Sequence, residues 1–263
     1  MTPLTVAISP CPNDTFIFAS WILGHVPPPA GLDSRFFWHD VQELNQGAFD
    51  DTWDVIKVSA ATALRLRDTH VILPCGGAFG LAHGPKLVTR ADFAGTPRTI
   101  AVPGLDTTAM RVLTAALTHA FTPVPMIFHA IVDAVQRGQV DAGLLIHETA
   151  LVHDRYGLSL HTDLGLWWSE HTGGLPLPLG CILARKALGD DVHAALTTTL
   201  RASILHARHN PSDIMPLIAA LARELDAATL EQHIAAYVND HSLNMGPRGQ
   251  AALDILQTFR THA

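Results

Sequence analysis

The feature that most restricts the fold is a local pattern at the start of the chain. A short apolar run, residues 4–8, breaks at Ser9-Pro10-Cys11-Pro12 and passes through Asn13-Asp14-Thr15 into a second apolar run, residues 16–23. An apolar run of that length bounded by turn residues reads as a buried strand. Asn, Asp and Thr are favoured helix N-caps. The reading is strand, proline-stiffened turn, helix. Similar junctions recur at Ser59-Ala60-Ala61-Thr62, after the run at 54–58, and at Asp106-Thr107-Thr108-Ala109, after the run at 99–102. Strands alternating with helices favour a largely parallel sheet covered by helices. In open α/β sheets such turns lie at the carboxyl edge of the strands, where ligands bind.

The alternation comes in two stretches. The first has strand patterns at 4–9, 34–38, 54–58, 71–73 and 85–88, with helix patterns at 15–23, 41–47 and 60–66. The second has strands at 99–102, 125–129, 142–146 and 160–166, with helices at 109–119 and 130–137. The segment at 173–180 is too rich in Pro and Gly for a regular element, and it leads into a strand at 181–184. Beyond residue 190 the pattern is helical, over 192–208, 212–221, 228–239 and 247–259. This order predicts two α/β lobes, with crossings near 88–98 and 176–184. Lobe 1 is 1–92 plus 184–263, lobe 2 is 93–183, and a cleft between them is the natural place for a small molecule.

Composition removes several functions. Hydrophobic residues make up 48% of the chain and charged residues 16%, with a formal net charge of −7. No basic stripe is present to neutralise phosphates, so a nucleic-acid partner is not expected. No apolar run approaches the roughly 18 residues of a membrane span, and the start has no basic n-region or signal-like h-region, so no membrane partner is expected and a cytoplasmic location is. Three isolated cysteines and no CxxC fit reduced thiols. Among 16 scattered histidines, His206 and His209 stand one helical turn apart. That spacing alone is weak evidence for metal, and neither a metal nor a cofactor is expected. The oligomeric state is left open.

The three strand-to-helix turns suit an oxyanion, because a helix N-terminus presents unpaired N–H groups and partial positive charge. They predict a small, polar, anionic organic ligand, with its carboxylate or another oxyanion held there. Asp14 fits less simply: it accepts hydrogen bonds from ligand hydroxyls or caps its helix. His147 ends an apolar strand and precedes Glu148 and Thr149. An imidazole so placed in a cleft suits proton removal near neutral pH, while a structural role is the alternative. No GxSxG elbow, P-loop or dinucleotide fingerprint is present. The Trp167-Trp168 pair reads as core.

The run Ser9 to Phe18, Lys57-Val58-Ser59, the loop from Gly76 to Pro85, Thr107-Thr108-Ala109, Ile146-His147-Glu148 and Leu175-Pro176-Leu177-Pro178-Leu179-Gly180 closely resemble the 1,4-dihydroxy-6-naphthoate synthase family of the futalosine route to menaquinone. The matched motifs span residues 9 to about 184; the C-terminal helices carry none of them. The resemblance implies a bilobal, type 2 periplasmic-binding-protein-like fold. It also implies a cofactor-independent lyase converting cyclic dehypoxanthine futalosine to 1,4-dihydroxy-6-naphthoate. Carried onto this chain, His147 is the base. Lys57, Val58, Ser59, Thr108 and Ala109 contact substrate, as does Asn45, and Asp14 joins them. Gly173-Gly174 departs from the family's approach to the Leu-Pro-Leu-Pro run. Chorismate dehydratase, of the same pathway and fold, and a non-catalytic solute-binding protein for an organic anion are the competing readings. A ligand-sensing regulatory domain would carry a basic helix-turn-helix, which is not found.

Overall fold

A computed structural model describes residues 3–81, 83–222 and 226–260, the side chains of Glu148 and Ala227 excepted. The first stretch forms β1 (Leu4–Ile8), α1 (Pro12–Ile22), β2 (Ser34–Trp38), α2 (Val41–Phe49), β3 (Val55–Ser59), α3 (Ala60–Arg65), β4 (His70–Ile72) and β5 (Ala78–Gly80). The second forms β6 (Lys86–Arg90), β7 (Thr99–Val102), α4 (Thr108–Ala116), β8 (Thr122–Pro125), α5 (Ile131–Gln136), β9 (Ala142–Leu145), α6 (His147–Leu151), β10 (Leu158–Asp163) and α7 (Leu164–Thr172). The chain then returns through β11 (Leu177–Arg185) and ends in α8 (Asp190–His209), α9 (Pro211–Leu221), α10 (Ala227–Tyr237), α11 (Asp240–Leu243) and α12 (Gly246–Thr258).

The strands make two sheets. The first runs β2-β1-β3-β11-β4, with β5 also paired to β11; the second runs β10-β6-β9-β7-β8. Pairs β1–β2, β1–β3, β7–β8 and β7–β9 are parallel. The strand that enters each lobe from the other is antiparallel to its neighbours: β6 to β9 and β10, and β11 to β3, β4 and β5.

The crossings lie earlier than expected. β6 belongs to the second sheet and β11 to the first, so the chain crosses between β5 and β6 and returns between α7 and β11. Lobe boundaries at 92 and 183 are corrected accordingly. Pro178 and Gly180 lie inside β11, where the pairing with β5 shifts register between them. An irregularity of that kind is where a strand tolerates Pro and Gly. The pattern at 160–166 also divides, into the end of β10 and the start of α7, which Asp163 caps by accepting from the N–H groups of Gly165 and Leu166.

A large apolar core is shared by both lobes. Ile56, Val58 and Leu183 of the first sheet and Leu87, Ile100 and Leu144 of the second belong to it, and Met110, Leu113, Trp168 and Leu253 join them. A second core packs α1, α8 and α9 on the first sheet, and a third packs α5 on the second. Trp168 is fully buried and its Nε1 donates to the Leu175 carbonyl at 2.9 Å. Among the described residues no helix is long and apolar enough to cross a membrane.

Candidate active site

The carboxyl ends of β1, β3 and β9 and the first turn of α4 converge on a cleft of about 700 Å³ between the lobes. Leu44, Val58, Ala78, Pro85, Ile146 and Leu179 give it apolar walls. Asp14, Lys57, Val58, Ser59, Thr108, Ala109 and His147 all line it, so the structure brings these sequence-selected residues together.

Asp14 neither caps α1 nor stands free. The helix starts at Pro12 with Cys11 as its N-cap, and no side chain caps it. Proline at this position is pre-set for a helix start. Asn13 and Asp14 therefore sit in the first turn with buried side chains. The Asp14 carboxylate accepts from Lys57 Nζ, from Ser9 Oγ at 2.7 Å and from Asn13 Nδ2 at 2.7 Å. Lys57 and Asp14 are a buried ion pair, so the carboxylate's charge is compensated and does not repel an anion in the cleft.

Asn45 does not line the cleft. It is fully buried behind Ser59, whose N–H donates to Asn45 Oδ1 at 2.8 Å and whose Oγ accepts from Asn45 Nδ2 at 3.0 Å. Ser59 Oγ thus keeps its own proton for another acceptor. Thr108 is a bridge between lobes: its Oγ1 accepts from the Ala61 N–H at 3.0 Å and donates to the Leu179 carbonyl at 3.1 Å. What α4 offers a ligand is its first turn, capped by Thr107 Oγ1 accepting from the Met110 N–H. First-turn N–H groups have no intrahelical partner.

His147 follows β9 with φ of 55°, a left-handed conformation uncommon outside glycine. Its ring reaches from the second lobe to the first. Nε2 lies 3.6 Å from Cys11 Sγ, the Phe128 ring meets it edge-on at 5.1 Å, and the His233 ring stacks at 6.1 Å. An outer groove shares Ser9 and Val41 with the cleft and is lined also by Cys11, Trp38, His39 and Phe128.

His233 is fully buried, and desolvation, then the neighbouring His147 imidazole, hold its pKa well below the usual 6.5. It is neutral, with Nε2–H donating to Asn13 Oδ1 at 2.9 Å. The Asn13 amide nitrogen donates to Asp14, which leaves its oxygen for His233 and assigns the tautomer. Tyr237, one turn on, lines the cleft and meets the His233 ring edge-on. The motif-free C-terminal helices therefore complete the site through α10. Helical spacing and buried aromatic character were the only signals for this pair. Trp167 and Trp168 do not line the cleft; both meet Phe259.

The sequence profile of a family described as menaquinone biosynthesis matches residues 4–261. Two similar curated proteins carry the name 1,4-dihydroxy-6-naphtoate synthase. One, from Thermus thermophilus, is 39% identical over 254 residues, 96% of this chain and 92% of its own length. The other, from Streptomyces coelicolor, is 42% identical over 265 residues, 97% of this chain and 92% of its own. A Candida albicans protein described as having the generic periplasmic-binding-protein fold superposes with a TM-score of 0.70 at 11% identity, covering 100% of this chain and 92% of that one. The fold expectation is met.

Proposed function

The chain belongs to the menaquinone-biosynthesis family, and on that premise we propose that it forms 1,4-dihydroxy-6-naphthoate from cyclic dehypoxanthine futalosine, as a carbon–carbon lyase that needs no cofactor and uses His147 as its base. The observation that carries this reading is the position of His147. Its ring lines the apolar inner cleft and meets Cys11 and Phe128, which line the outer groove. A substrate with an aromatic half and a sugar-derived half would place its scissile region there.

In this reading the aromatic carboxylate lies at the inner end, against Lys57, the Ser59 hydroxyl and the first turn of α4. Leu44, Val58 and Leu179 cover the ring faces. The sugar-derived portion extends past His147 toward Cys11 and Phe128. His147 removes a proton from that portion, the carbon–carbon bond breaks in a retro-aldol sense, and aromatisation of the second ring draws the reaction forward. The cleft supplies orientation, a dry medium and donors for developing oxyanion charge. We place the enzyme in the cytoplasm, in keeping with its biosynthetic relatives.

The test is turnover of cyclic dehypoxanthine futalosine by wild type and His147→Ala, with binding measured in parallel. The expected outcome is a loss of about 10²–10⁴ in kcat with binding retained. A variant with near-wild-type kcat reassigns the base. Wild type that binds without turnover returns the chain to the solute-binding reading.

A further inference from the structure

We propose that His25, His206 and Asp213 form a site for a divalent transition-metal ion at the end of α1 opposite the cleft. Three elements supply the residues. His25 follows α1 after the left-handed Gly24, with its N–H donating to the Ser20 carbonyl at 2.8 Å. His206 lies near the end of α8, and Asp213 in the first turn of α9. One donor atom from each lies within 4.8 Å of the other two, the sole such group of three among the described residues. His206 Nε2 is 4.0 Å from Asp213 Oδ2.

A second observation aims the central donor. Ser20 Oγ, fully buried on α1, is 3.0 Å from His206 Nδ1. A hydroxyl accepting from Nδ1–H leaves the Nε2 lone pair directed toward Asp213. Metal-ligating histidines are commonly held by such an outer hydrogen bond on their other ring nitrogen. His209, the partner suggested by helical spacing, is exposed, and its Nδ1 is 2.7 Å from the Leu205 carbonyl.

Two imidazoles and a carboxylate favour ions such as Zn²⁺ or Co²⁺ over Mg²⁺ and Ca²⁺, which prefer all-oxygen shells. Donors on one tetrahedral zinc stand about 3.3 Å apart, given bonds of about 2.0–2.2 Å. Closing to that spacing requires the exposed His25 ring to leave its stack on His206, where the centroids are 4.9 Å apart, and the exposed Asp213 to turn inward. Water fills the remaining position. The bound ion ties the end of α1 to α8 and α9.

The experiment is calorimetric titration of the chelator-treated, full-length protein with Zn²⁺, and of the His25→Ala, Asp213→Asn, Ser20→Ala and His209→Ala variants. The expected result is one ion bound by wild type and by His209→Ala alike, affinity reduced by at least about tenfold in His25→Ala and Asp213→Asn, and by about tenfold in Ser20→Ala through the lost outer hydrogen bond. Melting temperature should rise with Zn²⁺ in wild type and not in His25→Ala. Wild type that binds no ion overturns the proposal. So does binding undiminished in both His25→Ala and Asp213→Asn.

Discussion

Lys57 shows how a buried charge is made tolerable at the wall of the cleft. Its ammonium is paired with an Asp14 carboxylate that Ser9 and Asn13 also satisfy. Lys57→Met leaves that carboxylate buried and uncompensated, and should cost about 3–5 kcal/mol, read as a lowered urea midpoint. Adding Asp14→Asn should return part of the loss. His233 carries the opposite electrostatic problem, being buried neutral. The unfolded chain takes up a proton near the usual 6.5 while the folded site resists it, so the unfolded state binds more protons below that pH and stability falls there. Above 6.5 its contribution is intact. Burial lowers His70 and His161 in the same sense. Urea midpoints should fall between about pH 7 and pH 5, and less steeply in His233→Gln. Ser59, Thr108 and His147 were legible from the sequence because each stands at or just past the end of a strand, whereas Lys57 and Val58, inside β3, were reached only through the family resemblance. Their partners were not: Asn45 and Ser59 are 14 residues apart, Lys57 and Asp14 are 43 apart, and His233 and Asn13 are 220 apart. Spacing carries no record of contacts made only by folding. The same holds for His206, which local periodicity pairs with His209 and the fold brings to His25.

At the scale of elements, polar residues at a helix start need not be caps. The order of residues placed α1 correctly but moved its start into Asn13-Asp14-Thr15; Pro12 begins it earlier, and Asn13 and Asp14 in its first turn line the cleft. At α4 the expectation holds, with Thr107 as cap. Thr107→Ala should lower stability by about 1 kcal/mol. The crossings place a tighter demand on backbone. A Cβ built on Gly84 would meet the Gly165 Cα at 2.6 Å, where the first crossing abuts the start of α7. Gly84→Ala should cost about 1–3 kcal/mol by forced displacement of backbone, measured by denaturant unfolding. The return crossing has no such neighbour: Gly173 and Gly174 take φ of 65° and 77° with open space around them, a conformational rather than a packing requirement.

The whole molecule is bilobal in its sheets but not in its core. Met110, Leu113 and Trp168 of the second lobe share a cluster with Ile56, Val58 and Leu183 of the first. Polar ties reinforce it: Thr108 bridges Ala61 and Leu179, Thr62 Oγ1 donates to the Asp106 carbonyl at 2.9 Å, and Arg65 reaches the Asp106 carboxylate at 2.5 Å. Unfolding should therefore be one cooperative transition, with near- and far-ultraviolet circular dichroism coincident in urea; two resolved steps would contradict a shared core. The double crossing itself was visible as two runs of alternating elements. Its boundaries were not, because β6 and β11 are ordinary apolar strands whose choice of sheet is made by pairing. That pairing has a further consequence. Gly80 and Leu177 stand opposite each other in the β5–β11 ladder, so the chain leaves and rejoins the first sheet at adjacent points. In genetic terms the second lobe is an insert with neighbouring ends, convenient to exchange between homologues at two cuts. The common core sets the condition on such chimeras: the donor segment must arrive with its Met110, Leu113 and Trp168 surface already matched to the host.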